Sequence, residues 1–323
     1  MPDLRVPSVL HTLAITVRAA RPGFLAITAL GCLLGFAHAL AAGVPWQWPP
    51  ALLTVAGALL AHAASNLYND YADALLGSDA INHARVTPFT GGARVIQDGA
   101  LSADAVRRLA IGCGLAAAGI GLWIARASGA PIVALVAVGA LLGWAYSHPP
   151  LMLMSRGLGE LAVGTSWWLL VLGSDCVLRG GFSSGALALG AGYAALVAVI
   201  LLVNEFPDRV ADAAVGKRTA VVRLGETRAW ALSAALLAGA HAWIAFSAWQ
   251  RLLPAGVLAG LGSAPCAVAA LARLRCALAD DAARRDAIVL TLTTAALHAA
   301  LLAGGLLLGP GASPNRVLAA ATG

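Results

Sequence analysis

The sequence predicts an all-α protein that crosses a lipid bilayer about nine times. Of its 323 residues, 60% are hydrophobic and only 11% are charged, whereas a soluble globular domain carries about 25% charged residues. The mean hydropathy is +0.82. Several separate apolar runs reach the roughly 20 residues that a helix needs to cross a bilayer. With so few charges, a soluble fold of this size could not cover its surface, so the composition indicates a polytopic membrane protein.

The apolar runs are separated by gaps that glycine and proline punctuate. We expect a single domain over residues 1–310, with no cleavable signal peptide, followed by a disordered tail at 311–323 that contains proline and glycine. The nine predicted helices lie at about 22–44, 50–76, 104–125, 130–147, 158–178, 184–205, 227–248, 252–272 and 286–308.

The basic residues predict the orientation of these helices. If the N-terminus lies in the cytoplasm, all but four of the 21 basic residues fall on the cytoplasmic side. Such an asymmetry obeys the positive-inside rule. It accounts for the net charge of +6 without a nucleic-acid partner, and it predicts an external C-terminus. The four exceptions are Arg126, Arg179, Arg251 and Arg316.

Two acidic motifs lie at the cytoplasmic ends of the second and sixth predicted spans. The first reads NLYNDYAD over 66–73 and continues to Asp79, and the second reads NEFPDRVAD over 204–212. In each, an amide is followed four residues later by an aspartate, and three or four residues after that by another. These side chains share one helix face: Asn66, Asp70 and Asp73, and Asn204, Asp208 and Asp212.

The motifs begin 138 residues apart, which indicates a weak internal repeat. A repeat of this kind would place the two motifs opposite each other across a shared cavity. Pro207, inside the second motif, favours a broken or kinked helix end. A single aspartate pair at a span end is most often a solvated loop face, but two copies at equivalent positions argue for a shared site.

The residue types predict the ligand. Carboxylates at a membrane boundary are costly unless they are paired or bound to metal, and oxygen ligands select hard cations such as Mg²⁺. Basic residues follow each motif, Arg85 and Arg94 after the first and Lys217 and Arg218 after the second. They suit a polyanion such as diphosphate. A diphosphate whose hydrophobic tail lies between apolar helices is a prenyl diphosphate.

A divalent-cation transporter is the alternative from another class, because transporters also use repeated bundles with acids at the membrane midplane. Both motifs, however, lie at one membrane face. Only the fifth predicted span carries acids deeper in, at Glu160 and Asp175.

At these motifs the sequence resembles the UbiA superfamily of membrane prenyltransferases. The resemblance extends through RVTPFTGGARVIQDGALS (85–102), YSHPPLMLMSRGLGELAVG (146–164) and the run to residue 225. The GSD, GKRT and RGLGE segments are most similar to the 1,4-dihydroxy-2-naphthoate polyprenyltransferases of menaquinone synthesis. The 4-hydroxybenzoate enzymes are less similar, since a carboxylate would be expected at Gly77. A different aromatic acceptor remains an alternative.

The resemblance implies a nine-helix bundle around a central cavity with cytoplasmic capping loops, in a bacterial cell membrane. It implies Mg²⁺-dependent transfer from a prenyl diphosphate to an aromatic acceptor, with Asp70, Asp73, Asp208, Asp212 and Tyr146 as catalytic residues. The residues implied for the two Mg²⁺ ions are Asn66, Asp70, Asp73 and Asp79, and Asn204, Asp208 and Asp212. Those implied for substrate binding are Arg85, Arg94, Lys217 and Arg21.

The sequence departs from the family pattern at Trp167 and Trp168, where small residues are expected. We interpret them as core packing or interfacial anchors, although they could reshape the acceptor pocket. His62, His241 and His298 lie within predicted spans and have no partners at metal-ligand spacing. We interpret them as interior polar contacts.

Overall fold

The fold is built from helices. The computed structural model describes residues 9–276 and 280–309, and within these ranges there is no β-strand. In chain order the α-helices are α1 (Val9–Ala19), α2 (Pro22–Ala41), α3 (Trp48–Leu76), α4 (Ser78–Ile81), α5 (Ala103–Ser128), α6 (Ala130–Ser147), α7 (Gly159–Arg179), α8 (Ser184–Ala214), α9 (Ala220–Leu224), α10 (Glu226–Trp249), α11 (Ala264–Cys276) and α12 (Asp281–Leu308). Two 3₁₀ segments, Leu153–Ser155 and Ala255–Ser263, precede α7 and α11.

Nine helices in the described part of the chain are long and apolar enough to cross a membrane. They are α2, α3, α5, α6, α7, α8, α10, the combined 3₁₀ and α-helical span Ala255–Cys276, and α12. Each coincides with one of the nine predicted spans, so the predicted all-α membrane fold is confirmed. The predicted tail at 311–323 lies outside the described residues.

Residues with specific backbone roles set the helix ends. Pro22 begins α2, where the missing amide hydrogen needs no partner. Ser102 caps α5 by accepting a hydrogen bond of 3.2 Å from the Ala105 amide. Gly77 ends α3 with a φ of 85°, a left-handed conformation that glycine adopts without a steric cost. The turn at Gly77 leads directly into α4, which carries Asp79.

Helix α8 forms the centre of the bundle. In its most apolar stretch 78% of the residues are buried, against 17% in α3, α5 and α6. It packs against α7, α10 and α12, and Leu189, Tyr193 and Leu196 are among its fully buried side chains. The Tyr193 hydroxyl donates a hydrogen bond of 3.0 Å to the Ile27 carbonyl, which fixes α8 to α2.

Helices α2 and α7 cross at very close range. A Cβ atom at Gly35 would collide with the Val171 carbonyl oxygen and would lie 2.7 Å from the Ser174 Cβ. Just beyond the crossing, the buried Asp175 carboxylate accepts from Arg179 at 2.7 Å and contacts His38 Nδ1 at 2.8 Å. These contacts fix the position of α2 against α7.

Helices α3, α5 and α6 wall a cavity together with α2, α7 and α8. The loops at 82–102, 148–158 and 215–219 contribute to the polar end of this cavity. Its volume is about 930 Å³. The central cavity and capping loops that the resemblance implied are therefore present.

Of the two alternatives predicted at Pro207, a broken or a kinked helix end, the break is wrong. Helix α8 continues through Pro207 to Ala214. Proline removes one backbone hydrogen bond, but the packing of both neighbouring turns against other helices holds α8 together. Glu205, Phe206 and Ala211 in these turns are all buried.

Candidate active site

The first acidic motif forms about the last three turns of α3 and the start of α4. Asn66, Asp70 and Asp73 lie on one face of α3, as predicted, and both aspartates are buried. Asp79 follows the Gly77 turn and is also buried. Burial first, and then repulsion from the Asp73 and Asp70 carboxylates, raises the pKa of Asp79 to about 7. The three carboxylates therefore form one cluster.

Asp70 has two fixed partners. Its Oδ1 pairs with the Arg21 guanidinium, and its Oδ2 accepts a hydrogen bond of 3.0 Å from the Ala93 amide. Burial by itself lowers the pKa of Arg21, but the carboxylates around it, Asp70 foremost and then Asp79, raise it above its ordinary value. Arg21 is thus a permanent cation at the mouth of the cavity.

The second acidic motif lies at the end of α8. Asp208 Oδ1 accepts from the Asn82 amide at 2.6 Å, and Asp208 Oδ2 accepts from the Gly91 backbone N–H at 3.3 Å. Both donors belong to the segment that follows the first motif. The chain between α4 and α5 therefore connects the two motifs, and Asn204, Asp208 and Asp212 line the cavity.

Lys217 joins the two motifs directly. Its Nζ lies 2.9 Å from Asp73 Oδ1 and 3.5 Å from Asp212 Oδ1. Burial by itself lowers the pKa of Lys217, but the Asp73 and Asp212 carboxylates raise it well above its ordinary value. The predicted opposition of the two motifs across a shared cavity is confirmed by this pairing.

The remaining predicted site residues, catalytic Tyr146 and substrate-binding Arg85 and Arg94, divide into two groups. Tyr146 on α6 lines the cavity and is near enough to Lys217 to interact with it electrostatically. Arg85 and Arg94 support the loop instead. Arg85 donates to the Asn82 carbonyl at 2.8 Å, and Arg94 donates to the Asp79 carbonyl at 2.9 Å. Neither arginine is among the residues that line the cavity.

The donor set suits Mg²⁺. It consists of carboxylate and amide oxygens, which are the ligands that hard divalent cations prefer. The Oδ1 atom of Asn204 is buried at the cavity and has no hydrogen-bond partner within the described chain. In the described ranges, no three carboxylate, imidazole or thiolate groups already form a metal-binding cluster. Arg21 pairs with Asp70, and Lys217 pairs with Asp73 and Asp212, so coordination of a metal ion would exchange these ion pairs for metal contacts.

Sequence reasoning missed the residues of the connecting loop. Asn82, with the backbone amides of Gly91 and Ala93, hydrogen-bonds to the motif aspartates. The available signal was the Gly91-Gly92 pair, since adjacent glycines allow backbone N–H groups to turn toward an anion. Gly92 has a φ of 74°, and a Cβ atom at this position would collide with the Asp79 carboxylate.

The membrane interior of the cavity is apolar apart from a few side chains. Its deep end is lined by Ile124, Ile132 and Val177. Trp167 also lines the cavity, whereas Trp168 is partly exposed and donates to the Leu187 carbonyl at 2.8 Å. The two tryptophans therefore have different environments, and only Trp167 can contact a ligand in the cavity.

Three comparisons identify proteins similar to this chain. It is 32% identical over 226 residues to a 1,4-dihydroxy-2-naphthoate octaprenyltransferase of Mycobacterium tuberculosis, a match that spans 69% of this chain and 74% of the relative. The enzyme of that name from Escherichia coli K12 is 33% identical over 199 residues. That second match spans 58% of this chain and 62% of the relative, slightly under two thirds of its length.

The structure of a UbiA homolog from Archaeoglobus fulgidus, bound to DMAPP and Mg²⁺, has a TM-score of 0.60 against this fold. The superposition covers 89% of this chain and 98% of the homolog, and at 14% identity it shows a shared fold. The family model described as the UbiA prenyltransferase family matches residues 27–293, which is most of the sequence. The protein therefore belongs to the UbiA prenyltransferase family.

Proposed function

We propose that the protein transfers a prenyl group from an isoprenoid diphosphate to 1,4-dihydroxy-2-naphthoate, with Mg²⁺ as cofactor. The observation that carries the proposal is the cavity of about 930 Å³, which joins a cluster of carboxylates and two cations at one end to an apolar membrane interior. A prenyl diphosphate has the matching polarity, because a polyanionic head is joined to a hydrocarbon tail.

The acceptor is proposed from the relatives. Both sequence relatives described above are named 1,4-dihydroxy-2-naphthoate octaprenyltransferases. Family membership supports a transferase over the divalent-cation transporter considered from the sequence. A UbiA homolog binds the prenyl diphosphate DMAPP together with Mg²⁺, which supports the same cofactor here.

Two groups of side chains would hold the metal ions and the diphosphate. The proposed Mg²⁺ ligands are Asn66, Asp70, Asp73 and Asp79 for one ion and Asn204, Asp208 and Asp212 for the other. When bound, Mg²⁺ would supply positive charge to the leaving diphosphate. Arg21 and Lys217, which now pair with Asp70 and Asp73, would turn toward the diphosphate oxygens. Arg85 and Arg94 would act indirectly by supporting the loop.

The reaction would be an electrophilic substitution. The C–O bond of the prenyl diphosphate breaks, its electron pair leaves with the diphosphate, and an allylic cation remains. Lys217 and Arg21 stabilise the negative charge that develops on the leaving group. The apolar walls keep water away from the cation. The ring carbon that bears the carboxylate then attacks the cation near Tyr146. The bond from this carbon to the carboxylate breaks, its electron pair restores the aromatic ring, and CO₂ leaves.

A membrane-fraction assay tests the proposal. Radiolabelled prenyl diphosphates of several lengths are offered with 1,4-dihydroxy-2-naphthoate or 4-hydroxybenzoate, in Mg²⁺ or in EDTA. We expect Mg²⁺-dependent prenylation of the naphthoate and a loss of at least about 100-fold in Asp208→Asn. The matched control is Asp104→Asn, because the Asp104 side chain is 67% exposed and lies outside the cavity.

Transfer to 4-hydroxybenzoate alone would identify a different acceptor and leave the proposed type of reaction unchanged. Absence of transfer to both, with Mg²⁺-dependent binding of the prenyl diphosphate, would reject the proposed acceptor class. Absence of prenyl diphosphate binding would overturn the proposed function.

A further inference from the structure

Three side chains from three helices meet in the cavity wall below the acidic motifs. Thr28 Oγ1 of α2 lies 2.7 Å from His62 Nδ1 of α3. The His62 ring packs edge-on against Trp167 of α7, with ring centroids 4.9 Å apart and an interplanar angle of 87°. All three residues line the cavity. His62 is an interior polar contact, as predicted from its place within a span, because its ring hydrogen-bonds to Thr28.

The remaining serine and threonine hydroxyl groups on α2, α3 and α7 that line the cavity have their hydrogen bonds satisfied locally. Each donates to the backbone carbonyl four residues earlier in its own helix, at 2.7 to 3.2 Å. These residues are Thr54, Ser65, Ser166 and Ser174. His62 differs, because Thr28 holds only one of its two ring nitrogens. In the part of the chain that the structure describes, the one hydrogen bond of the His62 ring is the one through Nδ1, and Nε2 has no hydrogen-bond partner.

The position of His62 along α3 relates it to the reacting atoms. His62 precedes Asn66 by four residues, which is about one turn, or roughly 6 Å along the helix axis. A diphosphate held at the level of Asn66 would place its attached carbon within about one turn below that level. The aromatic acceptor must contact this carbon, which brings one edge of its ring within reach of His62.

The chemistry of this wall matches a flat, hydroxylated ring. A neutral imidazole has one donor and one acceptor nitrogen, and either can pair with a phenolic hydroxyl. The perpendicular rings of His62 and Trp167 form a corner. A planar aromatic molecule can lie against one ring face while its hydroxyl reaches the nitrogen of the other, an arrangement that aromatic groups favour.

We propose that His62, oriented by Thr28 and packed against Trp167, binds a ring hydroxyl of the aromatic acceptor through Nε2. The inference rests on the proposed function and adds the subsite that selects the acceptor. Trp167 supplies the apolar face of this subsite. The family pattern has small residues at this position, so the larger Trp167 side chain would define the shape of the acceptor that the cavity accommodates.

Steady-state kinetics of three variants test this inference. We expect His62→Phe to raise the KM for the acceptor about tenfold, because one hydrogen bond to the acceptor is lost. The KM for the prenyl diphosphate should change by less than about twofold. Thr28→Val should have a smaller effect in the same direction, because it frees the imidazole to rotate. The control is Thr293→Val, since Thr293 is exposed on α12 and its hydroxyl bonds its own helix.

Acceptor analogues supply a readout that a structural role of His62 would not change. 1-Hydroxy-2-naphthoate and 4-hydroxy-2-naphthoate each lack one ring hydroxyl and are measured as competitive inhibitors. With the wild-type protein, we expect one analogue to bind about tenfold more weakly than the other. With His62→Phe this difference should disappear, while His62→Gln should retain part of it.

The inference would be overturned if the two analogues bound with equal affinity to the wild-type protein and also to His62→Phe. A parallel rise in both KM values would do the same, since it would indicate general damage to the cavity. If His62→Phe does not accumulate in membranes, the analogue comparison in Thr28→Val decides. A wild-type protein that transfers no prenyl group to any naphthoate would reject the proposed function itself, which is a separate result.

Discussion

Lys217 is the residue on which the electrostatics of the site depend most. It lies between Asp73 and Asp212, at 2.9 and 3.5 Å, with a side chain that is 11% exposed. Removing one member of a buried charge pair leaves its partner uncompensated, which costs about 3–5 kcal/mol. Lys217 therefore neutralises the carboxylate cluster before substrate binds, and its ammonium group can pair with the diphosphate afterwards.

Replacement of Lys217 by methionine should lower kcat/KM by at least about 100-fold, because a charge that opposes the leaving group is lost. Lys217→Arg keeps the charge without the compact ammonium, so its kcat/KM should lie between those of the wild type and Lys217→Met. Arg228→Met, an exposed cation outside the cavity, is the matched control. Full kcat/KM in Lys217→Met would contradict the proposed role.

Alanine substitutions at Gly92 and Gly99 distinguish backbone strain from displacement of the carboxylates. Both have positive φ angles, 74° and 70°, but only a Cβ at Gly92 would meet other atoms, those of the Asp79 and Asp70 carboxylates. Either glycine-to-alanine change should cost about 1–2 kcal/mol of stability through backbone strain. Only Gly92→Ala should also lower kcat/KM, by about tenfold to 100-fold, because the carboxylates are displaced.

Activity and thermal unfolding in detergent, measured on both variants, check this expectation. A loss of activity in Gly99→Ala as large as in Gly92→Ala would show that loop strain alone is responsible. The Asp79 contact would then have no role of its own.

At the scale of elements, close helix crossings determine the position of the cavity walls. Helices α2 and α7 carry Thr28 and Trp167, and their separation is fixed at Gly35 and by the buried Asp175 network. A wider crossing would move both walls of the cavity. Small residues of this kind commonly allow membrane helices to approach closely.

Gly35→Ala should therefore destabilise the protein by about 1–3 kcal/mol, because the added methyl group meets the α7 backbone. Gly239→Ala in α10 is the matched control, and it should instead stabilise the protein. No atom lies within 4 Å of a Cβ at that position, and alanine favours a helix over glycine by up to about 1 kcal/mol. Thermal unfolding in detergent measures both changes, and a Gly35→Ala protein as stable as the wild type would argue against the tight crossing.

At the scale of the whole molecule, the charge asymmetry predicts which membrane face the site occupies. In the topology predicted from the sequence, all but four of the 21 basic residues fall on the side of the two acidic motifs, so we expect the site to face the cytoplasm. A soluble prenyl diphosphate head group and a water-soluble acceptor could then both reach the cavity from the cytoplasm.

Reporter fusions test this orientation. A phosphatase that is active only outside the cytoplasm should be active when fused after Gly181, between α7 and α8, and inactive after Gly216, which follows the second motif. Immunoblots control for the amount of each fusion. The reverse pattern would place the site outside without changing the fold.

The sequence by itself determined the membrane fold, the nine spans and the pairing of the two motifs. The physical reason is that a bilayer imposes one requirement on every span, a run of about 20 apolar residues. Helical periodicity then placed Asn66, Asp70 and Asp73 on one face without knowledge of any neighbour. The continuity of α8 through Pro207 could not be read in this way, because the packing that overrides the proline comes from other helices.

Only the tertiary structure decided which groups the motifs contact. The pairing of Arg21 with Asp70, of Lys217 with Asp73, and of Asn82 with Asp208 joins residues 49, 144 and 126 positions apart. Contacts over such separations have no local period in the sequence. The same holds for the meeting of Thr28, His62 and Trp167, since each is an ordinary residue of its own helix and their common cavity exists only once α2, α3 and α7 have packed.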